Sequence, residues 1–184
     1  MEIKIGTKQI LKFLYILSWI IFIGVCIEAG GFIFNTFYAM VLNPMGAENY
    51  WNGLDLSSLY NFDQGYFLVI TFYMIIVAVL RALIFYLFIR LLHGKKLDLS
   101  HPFTIEFRNF ISLVAYIALG IGLFSKMGMQ YSAWLSTKGV TMPDLEYLRL
   151  GGPDVWFFMG VILLVISQIF KRGIEMQNDN ELTI

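Results

Sequence analysis

The sequence is short of charge. Only 14% of its 184 residues are charged, whereas 58% are hydrophobic and 17% are aromatic. A soluble domain of this length usually has about 25% charged residues and about 45–50% apolar ones. Because side chains that face lipid must be apolar as well as those in the core, the composition predicts a membrane protein. Thirteen basic residues balance thirteen acidic ones, so direct nucleic-acid binding by a basic surface has no support.

The residues that form metal and catalytic sites are also scarce. The single cysteine, Cys26, cannot form an internal disulfide bond or a thiolate metal site. The two histidines, His93 and His101, lack the spacing of metal ligands, so we predict no metal and no cofactor. No serine or cysteine nucleophile shares a predicted surface with a histidine, and no glycine-rich phosphate loop is present. We therefore do not expect an enzyme.

Four long apolar runs predict four transmembrane helices. Crossing a hydrocarbon core of about 30 Å takes about 20 helical residues, and none of the runs alternates as a barrel strand does. We predict an all-α membrane protein that forms one four-transmembrane-helix bundle, with two long external loops that pack together as a small cap. The spans cover approximately residues 11–38, 66–92, 107–128 and 154–171, and the external loops cover 39–65 and 129–153.

Basic residues indicate which ends of these helices face the cytoplasm. Nine lysines and arginines lie in the N-terminal segment, the second loop and the C-terminal tail, whereas the first loop has none and the third has three. Cytoplasmic loops of membrane proteins are enriched in lysine and arginine. Both termini are therefore predicted to be cytoplasmic, with residues 172–184 as a cytoplasmic tail.

Two ionisable side chains, Glu28 and Arg81, fall inside the first and second apolar runs. Each costs about 2.5–3.5 kcal/mol at a helix centre, so both should face protein or water. Counting along the helices, Glu28 lies roughly 24 Å from Lys12 at the cytoplasmic face, and Arg81 lies roughly 13 Å from Arg90. We predict that Glu28 and Arg81, offset by roughly 10 Å along the membrane normal, form an intramembrane polar pair. The pair could fix helix packing or serve as a relay in a transport path.

Two segments carry a resemblance to a known family. The chain ends in IFKRGIEMQNDNELTI, residues 169–184, and the turn Pro102-Phe103-Thr104 precedes the third helix, which Thr104 is expected to cap. Both segments resemble a bacterial membrane family catalogued as domain of unknown function 2975, whose members have about this length and four predicted spans. The resemblance implies an inner-membrane protein of a bacterium, often encoded beside a small helix-turn-helix regulator, with no assigned activity.

Two classes of function remain for a protein embedded in the lipid bilayer. The first is a regulatory or interaction protein that binds a cytoplasmic partner, such as that regulator, through its second loop and tail. An apolar C-terminus can dock into a groove, although a frayed tail is the simpler alternative. The second class is a small-solute or ion transporter, or an immunity-type protein, that uses Glu28 and Arg81. A subunit of a homo-oligomer is a further alternative. The expected partner-binding residues are Arg172, Gly173, Glu175, Leu182, Thr183 and Ile184.

Overall fold

The computed structural model describes residues 7–93 and 103–181, which are helical except for the connecting loops. Four of the helices are long and apolar enough to cross a membrane. This confirms the predicted all-α bundle of four transmembrane helices, and the chain is a multi-pass membrane protein. The helices are α1 (Thr7–Phe37, continued by a π-helical turn, Tyr38–Leu42), α2 (Ser57–Phe62), α3 (Gln64–His93), α4 (Ile105–Thr137) and α5 (Pro153–Glu181), with a short 3-10 helix at Pro44–Ala47.

The four long helices pack in chain order. α1 packs on α3, α3 on α4, and α4 on α5. The central helices α3 and α4 bury much of their surface, whereas α1 and α5 leave theirs largely open, as apolar helices in lipid can. Neighbouring helices are antiparallel, so the start of α1 and the end of α5 lie at one end of the bundle. We call it the terminal end and the opposite one the loop end.

Both α4 and α5 are longer than the apolar runs that predicted them. α4 continues beyond residue 128 to Thr137, and α5 continues beyond residue 171 to Glu181. A helix that has left the lipid can carry polar side chains, because water hydrates them, so hydropathy alone ends it too early. The third loop is therefore shorter than predicted, and the tail is helical as far as it is described.

A small aromatic cap, built from residues 43–63, covers α1 and α3 at the loop end. The fully buried ring of Tyr50 stacks on Phe32 and meets Phe67 edge to face, with ring centroids 6.0 and 5.9 Å away. Its hydroxyl donates a hydrogen bond of 2.9 Å to the carbonyl oxygen of Phe32. Burial raises the pKa of the Tyr50 hydroxyl above its usual value. The ring therefore stays neutral in the folded protein.

The cap also depends on a close approach between a ring and a helix. The ring of Trp51 lies so near Gly31 in α1 that a Cβ on this glycine would overlap it. The first and third loops meet where the backbone N–H of Thr141 donates to the hydroxyl of Ser58 at 3.1 Å. The predicted cap is thus present. Among the described residues its extended pairing is limited to one isolated bridge, Trp51 with Leu54.

Candidate functional site

A polar cluster joins α1, α3, α5 and the third loop near the middle of the bundle. The Nε of Arg149 donates to Glu28 Oε1 at 2.7 Å. The Nη2 of Arg81 donates to the carbonyl oxygen of Arg149 at 2.9 Å. The guanidinium of Arg81 also lies 5.7 Å from the ring centroid of Trp156 at the start of α5. We call these four residues the arginine cluster.

The structure brings Glu28 and Arg81 into one cluster, but Arg149 connects them. The register between α1 and α3 explains why they are near each other. Tyr15 contacts His93, and Phe22 contacts Tyr86, seven residues further along both helices. Six more residues place Glu28 opposite residue 80, next to Arg81.

The predicted offset of roughly 10 Å between Glu28 and Arg81 is therefore wrong. It assumed that Lys12 and Arg90 lie at one depth. The same register places Arg90 opposite Ser18, six residues or roughly 9 Å along α1 from Lys12. Basic residues at helix ends reach the interface with long side chains, so their positions are poor markers of depth.

The backbone of Arg149 is held in an unusual conformation. Its φ is +57°, in the left-handed region that glycine favours and that costs another residue about 1–2 kcal/mol. The N–H of Arg149 bonds to the carbonyl of Glu146, and the N–H of Leu150 to that of Leu145, both at 3.1 Å. These two bonds form a Schellman motif, in which this position is usually glycine. An arginine at a position that favours glycine indicates that its side chain has a role, and this side chain forms the ion pair with Glu28.

A cavity of about 510 Å³ opens beside the arginine cluster. The side chain of Arg149 is 48% exposed, whereas its partner Glu28 is only 16% exposed. Among the described residues, no group of three or more His, Cys, Asp or Glu could hold a metal ion. The charged groups at the site are the guanidinium groups of Arg81 and Arg149 and the carboxylates of Glu28 and Glu146. The lining residues are Arg81, Leu145, Glu146, Arg149, Gly151 and Gly152.

Sequence reasoning missed Arg149 and Trp156 as members of the cluster. In the sequence, Arg149 counts only as one of three basic residues in the third loop. A signal was nevertheless present, because Gly151-Gly152-Pro153 follows and leads directly into the fourth apolar run. Because Arg149 lies only a few residues before the fourth span, its side chain can reach a carboxylate inside a neighbouring span, such as that of Glu28.

At the terminal end, the two segments that carry the family resemblance are in contact. A Cβ on Gly173 would lie 2.5 Å from the ring of Phe103. Phe103 and Phe107 both pack on Phe170, with ring centroids 5.3 and 5.1 Å away. The Thr104 hydroxyl accepts a bond from the N–H of Phe107 at 3.2 Å. This bond confirms that Thr104 is the N-cap residue of α4, as predicted. It also fixes Phe103 directly before this helix.

Three of the predicted tail residues lie on the last turns of α5. Gly173 is buried under Phe103, while Arg172 and Glu175 are exposed and form an ion pair of 3.2 Å. Lys171 lies 4.0 Å from the same carboxylate. Leu182, Thr183 and Ile184 lie outside the described residues, as does most of the second loop, 94–102. We call the described part the terminal surface, which consists of Phe103, Phe170, Arg172, Gly173 and Glu175.

The comparisons with known proteins identify one family. The model of a family described as "Protein of unknown function (DUF2975)" matches residues 51–184, most of the chain. The match includes both segments of the terminal surface and confirms the resemblance. It also includes Arg81 and Arg149, whereas Glu28 lies before its start. No curated protein and no solved structure matches the chain.

Proposed function

The chain belongs to the DUF2975 family of proteins of unknown function, and on this premise we propose that it is a regulatory membrane protein without enzymatic activity. In this proposal it lies in the inner membrane of a bacterium with both termini in the cytoplasm, where the terminal end binds a protein partner. The observation that supports it best is the contact between Phe103 and Gly173. This contact joins the two most family-specific segments into one surface.

The shape of α5 supports a partner of this kind. The helix continues for ten residues beyond Lys171, which is roughly 15 Å. Its exposed face carries Met176, which is 54% exposed, beside the charged pair of Arg172 and Glu175. An apolar side chain with charged neighbours on an exposed helix is typical of a segment that docks into a partner's groove. The family resemblance suggests a small helix-turn-helix regulator as the first partner to test.

Deletion of residues 174–184 tests this proposal. The full-length chain is purified from native membranes, and co-purification of the small regulator is measured. We expect the deletion to abolish recruitment but not membrane insertion, because Gly173 and its packing on Phe103 are retained. Met176→Asp should weaken recruitment without shortening the helix. The matched control is Tyr147→Ser, which changes a ring that is 64% exposed at the loop end. Recruitment that survives both changes at the terminal end contradicts the proposal.

A second candidate is transport of a small solute or ion, and the cavity beside the arginine cluster favours it. Charged groups at membrane depth often mark the path of an ion or a substrate. The full chain in proteoliposomes should then pass protons or small anions when a membrane potential is applied. Arg81→Gln should reduce this flux about tenfold, since an arginine that contacts the solute makes charge-assisted hydrogen bonds. Flux no greater than that of empty liposomes contradicts transport.

A further inference from the structure

We propose that the cavity at the arginine cluster is a binding site for a small anion, whose carboxylate or phosphate oxygens lie between Arg81 and Arg149. This inference is independent of the partner at the terminal end. It concerns the arginine cluster and names a ligand by its chemistry. It also stands whether the bound anion is transported or only sensed.

Unbalanced charge is the first reason for an anion. The cluster has two guanidinium groups and one carboxylate, and that carboxylate is bonded to the Nε of Arg149. The hydrogen bond that Arg81 donates goes to a backbone carbonyl, which carries no charge. The other carboxylate on the cavity, Glu146, is exposed and pairs with neither arginine of the described chain. The partly buried guanidinium of Arg81 therefore has no carboxylate bonded to it, and unpaired charge is costly in apolar surroundings. A bound anion would balance it.

Open hydrogen-bond donors are the second reason. The terminal nitrogens of Arg149 donate no hydrogen bond within the described chain, and its half-exposed side chain lines the cavity. Arg81 lines the cavity as well, and its Nε, which is buried away from solvent, has no protein partner among the described residues. A guanidinium group is a planar set of donors that matches the oxygens of a carboxylate or a phosphate. Two such groups on one cavity form a suitable clamp.

The cavity wall provides room for a ligand. Gly151 and Gly152 line it without side chains, and a Cβ on either would meet no atom within 4 Å. A volume of about 510 Å³ falls within the range of known small-molecule sites. The site therefore suits a small organic anion or a single phosphate group.

Glu146 offers a way to test whether the ligand is negatively charged. Its carboxylate lines the same cavity but forms no ion pair with either arginine of the described chain. A negative group here opposes a bound anion through space, whereas the arginines attract it. Neutralising Glu146 should therefore strengthen anion binding, and neutralising an arginine should weaken it. A structural role of the cluster would not predict opposite effects.

The experiment uses the full chain in nanodiscs of neutral phosphatidylcholine, titrated with inorganic phosphate at constant ionic strength. Binding is measured by calorimetry and as a rise in Tm. We expect Arg81→Gln to weaken binding about tenfold through loss of charge-assisted bonds, and Glu146→Gln to tighten it. Gly151→Leu keeps every charged group but fills the cavity, so it should abolish binding even if Arg81→Gln fails to fold.

The two sources of a phosphate group are distinguished by the lipid. Nanodiscs with phosphatidylglycerol, free of inorganic phosphate, should raise the Tm of the wild type more than that of Gly151→Leu if the natural anion is a lipid headgroup. Equal values for the two variants, together with binding of free phosphate, indicate a soluble anion. Absence of binding in both arms overturns the proposal, as does a response that Gly151→Leu or Glu146→Gln leaves unchanged.

Discussion

The two ends of the bundle are held together in different ways. At the loop end, Tyr50 is fully buried and hydrogen-bonded, and the ring of Trp51 is fitted against Gly31. At the terminal end, the ring of Phe103 is 40% exposed, and the ion pairs of Glu175 are open to solvent. Close-packed side chains cannot shift without losing contacts, whereas exposed ones can. The loop end is thus the more tightly packed of the two, and the side chains of the terminal end are freer to shift.

The strongest test of this difference is Gly31→Ala. The new Cβ would overlap the ring of Trp51, which cannot move without disturbing the cap. Overpacking costs about 1–3 kcal/mol, and we expect a loss of about 2 kcal/mol in the free energy of unfolding, measured in detergent by denaturation.

The neighbouring glycine is the matched control for this change. A Cβ on Gly30 would meet no atom within 4 Å, and alanine is a better helix former than glycine by up to about 1 kcal/mol. Gly30→Ala should therefore leave stability unchanged or raise it. Equal losses in the two variants would mean that the cap does not rest on Gly31.

The arginine cluster offers the next largest effect. Arg149→Ala removes the partner of Glu28, and we expect a loss of about 1.5 kcal/mol, limited because the arginine is half exposed. Arg149→Gly removes the same side chain but relieves the left-handed backbone, so it should be more stable than Arg149→Ala by about 1 kcal/mol. Thermal unfolding of both variants measures the difference. Arg149→Ala at least as stable as Arg149→Gly would show that the backbone is not strained there.

Much of the fold follows from the sequence, because hydropathy is a local property. It predicts the four spans, and the cost of charge in lipid identifies Glu28 and Arg81 as residues that need partners. The partner itself, Arg149, is not predictable in this way. It depends on how far the third loop folds back and on a turn whose left-handed residue is an arginine. The contact of Phe103 with Gly173 likewise arises between segments that are distant in sequence.

Tyr50→Phe tests the hydrogen bond inside the cap. The carbonyl of Phe32 keeps a second donor in the hydroxyl of Thr36, so no buried acceptor is left without a partner. We therefore expect a loss of only about 1 kcal/mol at neutral pH, measured by denaturation. Tyr147→Phe, at an exposed position of the loop end, should cost less than about 0.5 kcal/mol. Equal losses of stability in the two variants would mean that the hydrogen bond of Tyr50 does not stabilise the cap.

The raised pKa of Tyr50 adds a dependence on pH. An unfolded tyrosine loses its proton above about pH 10, while folded Tyr50 keeps its own. The unfolded state then binds fewer protons, so stability falls as the pH rises. The stability that this group contributes is complete below about pH 10 and is lost above it, by up to about 1.4 kcal/mol per pH unit. The variant Tyr50→Phe should show a shallower decline between pH 10 and 11.

The smallest effect is expected for Gly173→Ala, which repeats the first substitution at the other end. A Cβ here would also be too close to a ring, at 2.5 Å from Phe103. This ring is partly exposed and can swing outward, and alanine strengthens the helix. Stability should therefore stay within about 0.5 kcal/mol of the wild type, while recruitment of a partner weakens because Phe103 has moved. A loss as large as that of Gly31→Ala would show that the terminal end is as rigid as the loop end.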